Sequence, residues 1–264
     1  MMPSRDRSGN TSPTDNTLRP AAPFVSNAYR YPFPFERFEA PGLVNYTAYP
    51  YSAVGKLFGT DANGDFQCSG SVINSANRSV VWTAGHCVTY HGADIQQAIF
   101  VPGYKDGTAP FGIWTADSFW ASRKWQQDNN PLADFAALVL APDATGRSIV
   151  NVTGGLGIEW GISAVQHWHA MGYPAVSPFD GERQWTCTAS QAAYESFGRR
   201  FTLGIGCDFT GGSSGGPWIE SFGAGNFVNG LVTYGYSKYP KAIFGPYFGD
   251  AVGTLFNCAT DGVC

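Results

Sequence analysis

Between residues 211 and 218 the chain reads Gly211-Gly212-Ser213-Ser214-Gly215-Gly216-Pro217-Trp218. Four glycines and a proline in eight positions argue against a helix or an ordinary central strand. They allow instead a sharp turn with positive φ angles, close approach of a second backbone, and N–H groups that point outward. A hydroxyl held in such a turn has the setting of a nucleophile beside an oxyanion hole. A Gly/Ser-rich surface loop or linker has the same composition, so this stretch alone does not decide.

Two distant stretches do. In Val80-Val81-Trp82-Thr83-Ala84-Gly85-His86-Cys87 an apolar strand runs into small residues and then a histidine. In Pro131-Leu132-Ala133-Asp134-Phe135-Ala136-Ala137-Leu138-Val139-Leu140 an acid opens an apolar run. Taken singly, the histidine is a structural residue or metal ligand, and the aspartate a turn residue. Together, His, Asp and Ser are what general-base activation of a serine requires. On Ala84-Gly85-His86-Cys87, Asp134-Phe135-Ala136 and Gly212-Ser213-Ser214-Gly215-Gly216-Pro217 the chain resembles the trypsin/chymotrypsin-fold serine proteases, from about residue 50 to its end. Gly172-Tyr173-Pro174 is similar to the bacterial, glutamyl endopeptidase-like branch.

Composition fits an all-β chain: 33 glycines, 15% aromatics and only 14% charged residues, with Gly/Pro punctuation between short apolar runs. A net charge of −4 leaves no basic footprint for nucleic acid or a membrane surface. No apolar run reaches the ~18 residues of a membrane-crossing helix. Six cysteines without a C-x-x-C point to disulfides and a secreted, extracellular protein. The polar first twenty residues lack a signal core, so a secretion signal is expected to have been removed before this numbering begins.

The resemblance implies two antiparallel six-stranded Greek-key β-barrels and a short C-terminal helix at 250–257, with Asp250 as its cap. Residues 1–50 are expected to comprise a disordered segment, a propeptide remnant or tether, followed from residue 24 by an aromatic- and proline-rich arm packed across a barrel. Residues 51–145 would form the barrel carrying His86 and Asp134, and 146–264 the barrel carrying Ser214. Residues 125–131 read as a polar loop delivering Asp134. Cys68–Cys87 follows the family's pattern; Cys187–Cys207 and Cys258–Cys264 complete one of the ~15 pairings that six cysteines admit.

By the same resemblance Ser214 attacks the substrate carbonyl, His86 relays the proton and Asp134 orients the imidazole. The N–H groups of Gly212 and Ser214 match the oxyanion-hole positions. Ser213 competes as nucleophile, and the Gly-x-Ser-Gly-Gly register puts the role on Ser214. Ser213 also stands where trypsin-like animal proteases carry an aspartate that pairs with a new N-terminal amine, so activation is expected not to use that ion pair.

The substrate-binding residues implied are Asp208, Phe209, Thr210, Val232, Thr233, Tyr234, Gly235 and Gly245. Asp208 falls at the register of trypsin's pocket carboxylate, which favours a basic P1 residue; it reads equally as a solvated turn residue beside Cys207. Thr210 replaces a cysteine of trypsin's pocket wall. Glutamyl endopeptidases carry histidine where Val232 falls and threonine where Phe209 falls, so glutamate specificity ranks below basic or hydrophobic. Residues 232–235 match the segment that binds substrate backbone by strand addition.

His167 and His169 alternate on a strand without an evident third metal ligand, and His91 reads as a loop residue. No metal or cofactor is implied. Asn45, Asn77 and Asn151 open Asn-x-Ser/Thr sequons. The partners expected of a monomer of this kind are polypeptide substrates and protein inhibitors. Two rivals stand: an inactive homologue acting as a binding module, and an esterase of the α/β-hydrolase type, whose chain order puts Ser before His.

Overall fold

Short alternating runs separated by Gly, Asn and Asp turns fold as hairpins, and the computed structural model describes residues 5–6, 25–26, 30–197 and 200–264. Asn63 donates its N–H to Asp61 Oδ1 (2.7 Å), turning β1 (Val54–Asp61) back as β2 (Gly64–Ile73). There follow β3 (Val80–Thr83), β4 (Ala93–Pro102), β5 (Trp114–Ala121) and β6 (Ala136–Leu140). The pairing runs β1–β2–β3–β6–β5–β4 and back to β1, a closed antiparallel barrel. Leu57, Val72, Val81, Phe100 and Leu138 fill it, and Trp82 stacks on Phe135 with ring centroids 5.9 Å apart.

The second half forms β7 (His167–Gly172), β8 (Trp185–Phe197), β9 (Arg200–Gly206), β10 (Pro217–Glu220), β11 (Phe227–Leu231) and β12 (Tyr239–Pro246). Their order across the sheet is β11–β10–β7–β8–β9–β12, with Tyr234–Tyr236 added outside β12. The sheet rolls around the indoles of Trp168 and Trp218, 5.4 Å apart, until its ends meet. A Cβ on Gly245 of β12 would sit 2.0 Å from the Leu231 carbonyl oxygen of β11.

The aromatic arm finds the burial its composition demands. Glu36–Glu39 pairs antiparallel with β8, and Phe33 packs among Ala192, Ala193 and Phe244. Of the segment expected to be disordered, residues 1–23, only Arg5–Asp6 is among the described residues; it pairs in parallel with Phe66 and Gln67.

Two helices differ from expectation. Overlapping the stretch read as a polar loop, residues 125–131, is α1 (Arg123–Asp128), because Ser122 caps it by accepting the Trp125 N–H and the Trp125 ring turns inward. The C-terminal helix, α2 (Asp250–Asp261), has Gly249 as its cap and Asp250 as its first residue. It runs past residue 257 because Leu255 and Ala259 bury against the first barrel, on β5 and β6. No described helix is long and apolar enough to cross a membrane.

The disulfides Cys68–Cys87, Cys187–Cys207 and Cys258–Cys264 are all formed. The first spans 19 residues and ties β2 to the turn after β3. Replacing Cys68 and Cys87 together with alanine is therefore expected to lower unfolding free energy by about 3 kcal/mol, read from denaturant unfolding with midpoint and slope both fitted for each variant.

Candidate active site

β3 ends at Thr83, and the chain turns through a single 3₁₀ turn, Gly85–Cys87. Only glycine fits the first position: a Cβ on Gly85 would lie 2.7 Å from the Trp125 ring and 3.0 Å from Asp134 Oδ1. His86 is held twice by one carboxylate. Its backbone N–H donates to Asp134 Oδ1 at 2.8 Å, and its ring Nδ1 lies 2.8 Å from Asp134 Oδ2. Both residues are buried, at 1% and 4% exposure, so water competes little for that contact.

Asp134 is itself bracketed. The Ser122 N–H donates to the Phe135 carbonyl and the Ser122 hydroxyl to the Ala133 carbonyl. Asn130 caps the 3₁₀ turn Pro131–Ala133 by accepting the Leu132 N–H at 3.0 Å. The Trp125 indole, anchored on the Thr89 carbonyl at 2.8 Å, stands edge-on to the imidazole. Sequence reading found Asp134 but missed Ser122 and Trp125, whose signal was an N-cap serine three residues before a buried ring.

The glycine-rich turn docks on this unit. Ser214 accepts the Ser69 N–H at 2.7 Å, and Cys87 Sγ lies 3.8 Å from the same carbonyl oxygen. A Cβ on Gly215 would stand 2.1 Å from Thr83 Oγ1 and 2.8 Å from the Ala84 nitrogen. The turn bearing Ser214 and the turn bearing His86 are thus in backbone contact.

Within loop 210–216 the N–H groups of Ser213, Gly215 and Gly216 donate to the carbonyls of Thr210, Val232 and Ser213. Those of Gly211, Gly212 and Ser214 donate to no backbone carbonyl among the described residues. The Ser213 hydroxyl is committed to the Thr210 carbonyl at 2.6 Å. That of Ser214 is not given to a backbone carbonyl among the described residues; nucleophile–base contacts often tighten only when substrate binds.

Beside Ser214 lies a cavity of about 160 Å³. Phe209, Thr210, Val232, Thr233, Tyr234 and Gly235 line it, together with Tyr236, Tyr239 and Ile243, which sequence reading did not name. Two of the residues named from the sequence lie outside the lining. Asp208 is not in the lining: its carboxylate is taken by Arg37 from the arm, and Arg37 also stacks on Phe179 and Trp185. Gly245 is not there either, because its Cα faces the Leu231 carbonyl.

Behind the cavity a carboxylate is buried. Glu195 on β8 accepts a hydrogen bond from Tyr234, whose oxygen also meets Thr202 Oγ1 at 2.7 Å. Burial pushes the Glu195 carboxyl above its ordinary 4.5, against the pull of hydrogen bonds from Tyr234 and Tyr236. His167 and His169 sit apart from the site: His167 meets Ser190 Oγ at 3.0 Å and His169 stacks on Phe222. The clusters Cys68/His86/Cys87 and Cys187/Cys207/Asp208 have ligand-like spacing, but their sulfurs are joined in disulfides. His91 turns the chain with φ +49°.

A carboxyl whose proton is held more tightly in the folded chain stabilises it fully below the ordinary 4.5. That contribution is lost as pH rises through the elevated folded value. Glu195→Gln should therefore gain thermal stability relative to the parent between pH 4.5 and neutrality; an offset in melting temperature independent of pH would contradict this.

No protein-family model and no curated protein matches the chain. Solved structures do. The protease Anisep from Arthrobacter nicotinovorans is 34% identical, with a TM-score of 0.73 over 80% of this chain and 96% of that one. The thermostable serine protease AL20 from an extremophilic microorganism is 35% identical, with a TM-score of 0.74 over 80% and 97%. A Glu endopeptidase shares the fold at 21% identity, with a TM-score of 0.68 over 85% and 96%.

Proposed function

The chain belongs to the bacterial chymotrypsin-fold serine proteases, and we propose that it is a secreted endopeptidase working through Ser214, His86 and Asp134. The double grip of Asp134 on His86, beside the docked turn of Ser214, is the observation that carries this reading. Ser214 Oγ attacks the scissile carbonyl while the His86 nitrogen remote from Asp134 takes its proton. Asp134 keeps the other nitrogen protonated and stabilises the imidazolium. The N–H groups of Gly212 and Ser214, uncommitted to backbone carbonyls, receive the negative oxygen. The proton passes to the leaving amine, and water then repeats the sequence on the acyl-enzyme.

Substrate backbone adds to Tyr234–Tyr236, the outermost strand of the second sheet. For P1, the ion pair with Arg37 removes the free carboxylate on which a basic preference rested. The rings and methyl groups of Phe209, Val232, Ile243 and Tyr236 favour an apolar or aromatic P1 side chain. Three disulfides suit an oxidising, extracellular setting. The Ser213 hydroxyl, bonded to the Thr210 carbonyl, has no charge to offer a new amine, which supports activation without that ion pair. The working unit is a monomer with its site between residues 51–145 and 146–264, acting on polypeptides and open to protein inhibitors.

A serine-directed phosphonate is expected to label Ser214, which separates an active enzyme from an inert binding homologue. Ser214→Ala should lower kcat by about a million-fold and Ser213→Ala far less; survival of activity in Ser214→Ala would overturn the assignment. In a peptide panel varied only at P1, leucine and phenylalanine should exceed lysine and arginine in kcat/KM. The reverse order would return Asp208 to the pocket.

A further inference from the structure

Between β7 and β8 the chain makes a loop, residues 173–184, whose first residues lie against the turn bearing Ser214. Ala175 donates its N–H to the Gly211 carbonyl at 2.7 Å. The N–H and carbonyl of Val176 both meet Thr210 Oγ1, at 3.1 and 2.9 Å. The peptide joining Gly211 to Gly212 is planar and trans, so its N–H points opposite to its carbonyl. The bond from Ala175 therefore sets the direction of the Gly212 N–H.

Packing leaves that contact little slack. A Cβ on Gly212 would stand 2.9 Å from Ala175 Cβ, and a Cβ on Gly181 would stand 2.8 Å from the same methyl. Gly181 closes the loop by donating its N–H to the Pro174 carbonyl at 2.8 Å. A shift of Gly181 is thus felt at Ala175 through both methyl and backbone.

What holds Gly181 comes from the other barrel. Lys56 of β1 donates through Nζ to the Gly181 carbonyl at 2.7 Å and meets Glu182 Oε1 at 3.3 Å. The ammonium lies over the rings of Phe58 and Tyr104, 4.8 and 4.6 Å from their centroids. The Tyr104 hydroxyl donates to the other oxygen of Glu182 at 2.6 Å. Lys56 is only 2% exposed. Burial pulls its pKa below the ordinary 10.5, and Glu182 and Asp180 pull it back. A buried ion pair is often no more stabilising than apolar side chains of like volume. This ammonium is better explained by what it holds than by stability.

Resting on the protease reading above, we propose that Lys56 is a positioning residue for the oxyanion hole. It fixes the Gly181 carbonyl, through Gly181 the methyl and N–H of Ala175, and through Ala175 the Gly212 N–H. Lys56→Met keeps the length of the side chain and removes its charge and donors, so its melting temperature should equal or exceed the parent's. On a peptide anilide carrying the P1 residue that the parent cleaves best, kcat should fall by about ten-fold to hundred-fold with KM unchanged.

The oxyanion itself is read with the matching peptidyl trifluoromethyl ketone. Ser214 Oγ adds to the ketone carbon, a C–O bond forms and the hydroxyl proton passes to His86. The π pair of the carbonyl moves onto its oxygen, which then faces the Gly212 N–H. In Lys56→Met, affinity for the ketone should fall by the same factor as kcat. Affinity for the corresponding alcohol, which forms no oxyanion, should stay within about two-fold of the parent's.

Glu182→Gln loosens the same ammonium without emptying the buried site, and should lower kcat in the same sense by about three-fold. It decides alone if Lys56→Met does not fold. Unchanged kcat in the folded variants, or equal losses of ketone and alcohol affinity, would overturn the role of Lys56 and leave the protease reading intact. A parent that neither cleaves the anilides nor takes up the ketone would overturn both.

Discussion

The carboxylate of Asp134 accepts the backbone N–H of His86 through one oxygen and meets its ring through the other, both at 2.8 Å. Because one contact is to backbone, the acid fixes the position of the turn as well as the angle of the imidazole. Much of the neighbouring architecture serves that pair. Ser122 holds the residues on either side of Asp134, Gly85 leaves room for the Trp125 ring, and the Cys68–Cys87 bond keeps β2 against the turn. Through Ser69 and Cys87 the same unit receives the carbonyl of Ser214. A buried carboxylate costs desolvation and adds little net stability, so the support around it is better understood as positioning.

The N-terminal arm reaches the acid that adjoins the cavity. It adds a strand to β8 and places Arg37 on Asp208, with the guanidinium flanked by Phe179 and Trp185. An acid that the register aligns with a pocket carboxylate thereby becomes a fastening between arm and sheet. The cavity is left to aromatic and aliphatic walls, stiffened behind by the Glu195–Tyr234–Thr202 chain of hydrogen bonds.

How much of this was legible in the sequence follows from how local each signal is. His86, Asp134 and Ser214 announce themselves because strained turns demand small residues immediately around them. Of the cysteine pairs, Cys68–Cys87 was legible from the family's pattern, whereas the other two were one choice among the ~15 pairings that six cysteines admit. Strands with Gly-rich punctuation were equally plain. Arg37 with Asp208 was not, since the partners stand 171 positions apart and nothing local marks either one. Tyr236 and Tyr239 were missed because the pairing of the edge strand with β12, which sets them opposite each other beside the cavity, has no local mark in the sequence. Residues 125–131 read as loop because their polar side chains masked a single inward ring, Trp125, that the fold uses as a wall for His86.

The most direct measurement is of the proton between His86 Nδ1 and Asp134. In protein labelled with ¹⁵N-histidine, the account predicts a far-downfield proton resonance, bonded to the His86 ring and slow to exchange. Asp134→Asn should remove it together with the labelling of Ser214 by phosphonate. Absence of that resonance in the parent, or its survival unchanged in Asp134→Asn, would contradict the arrangement on which the whole reading depends.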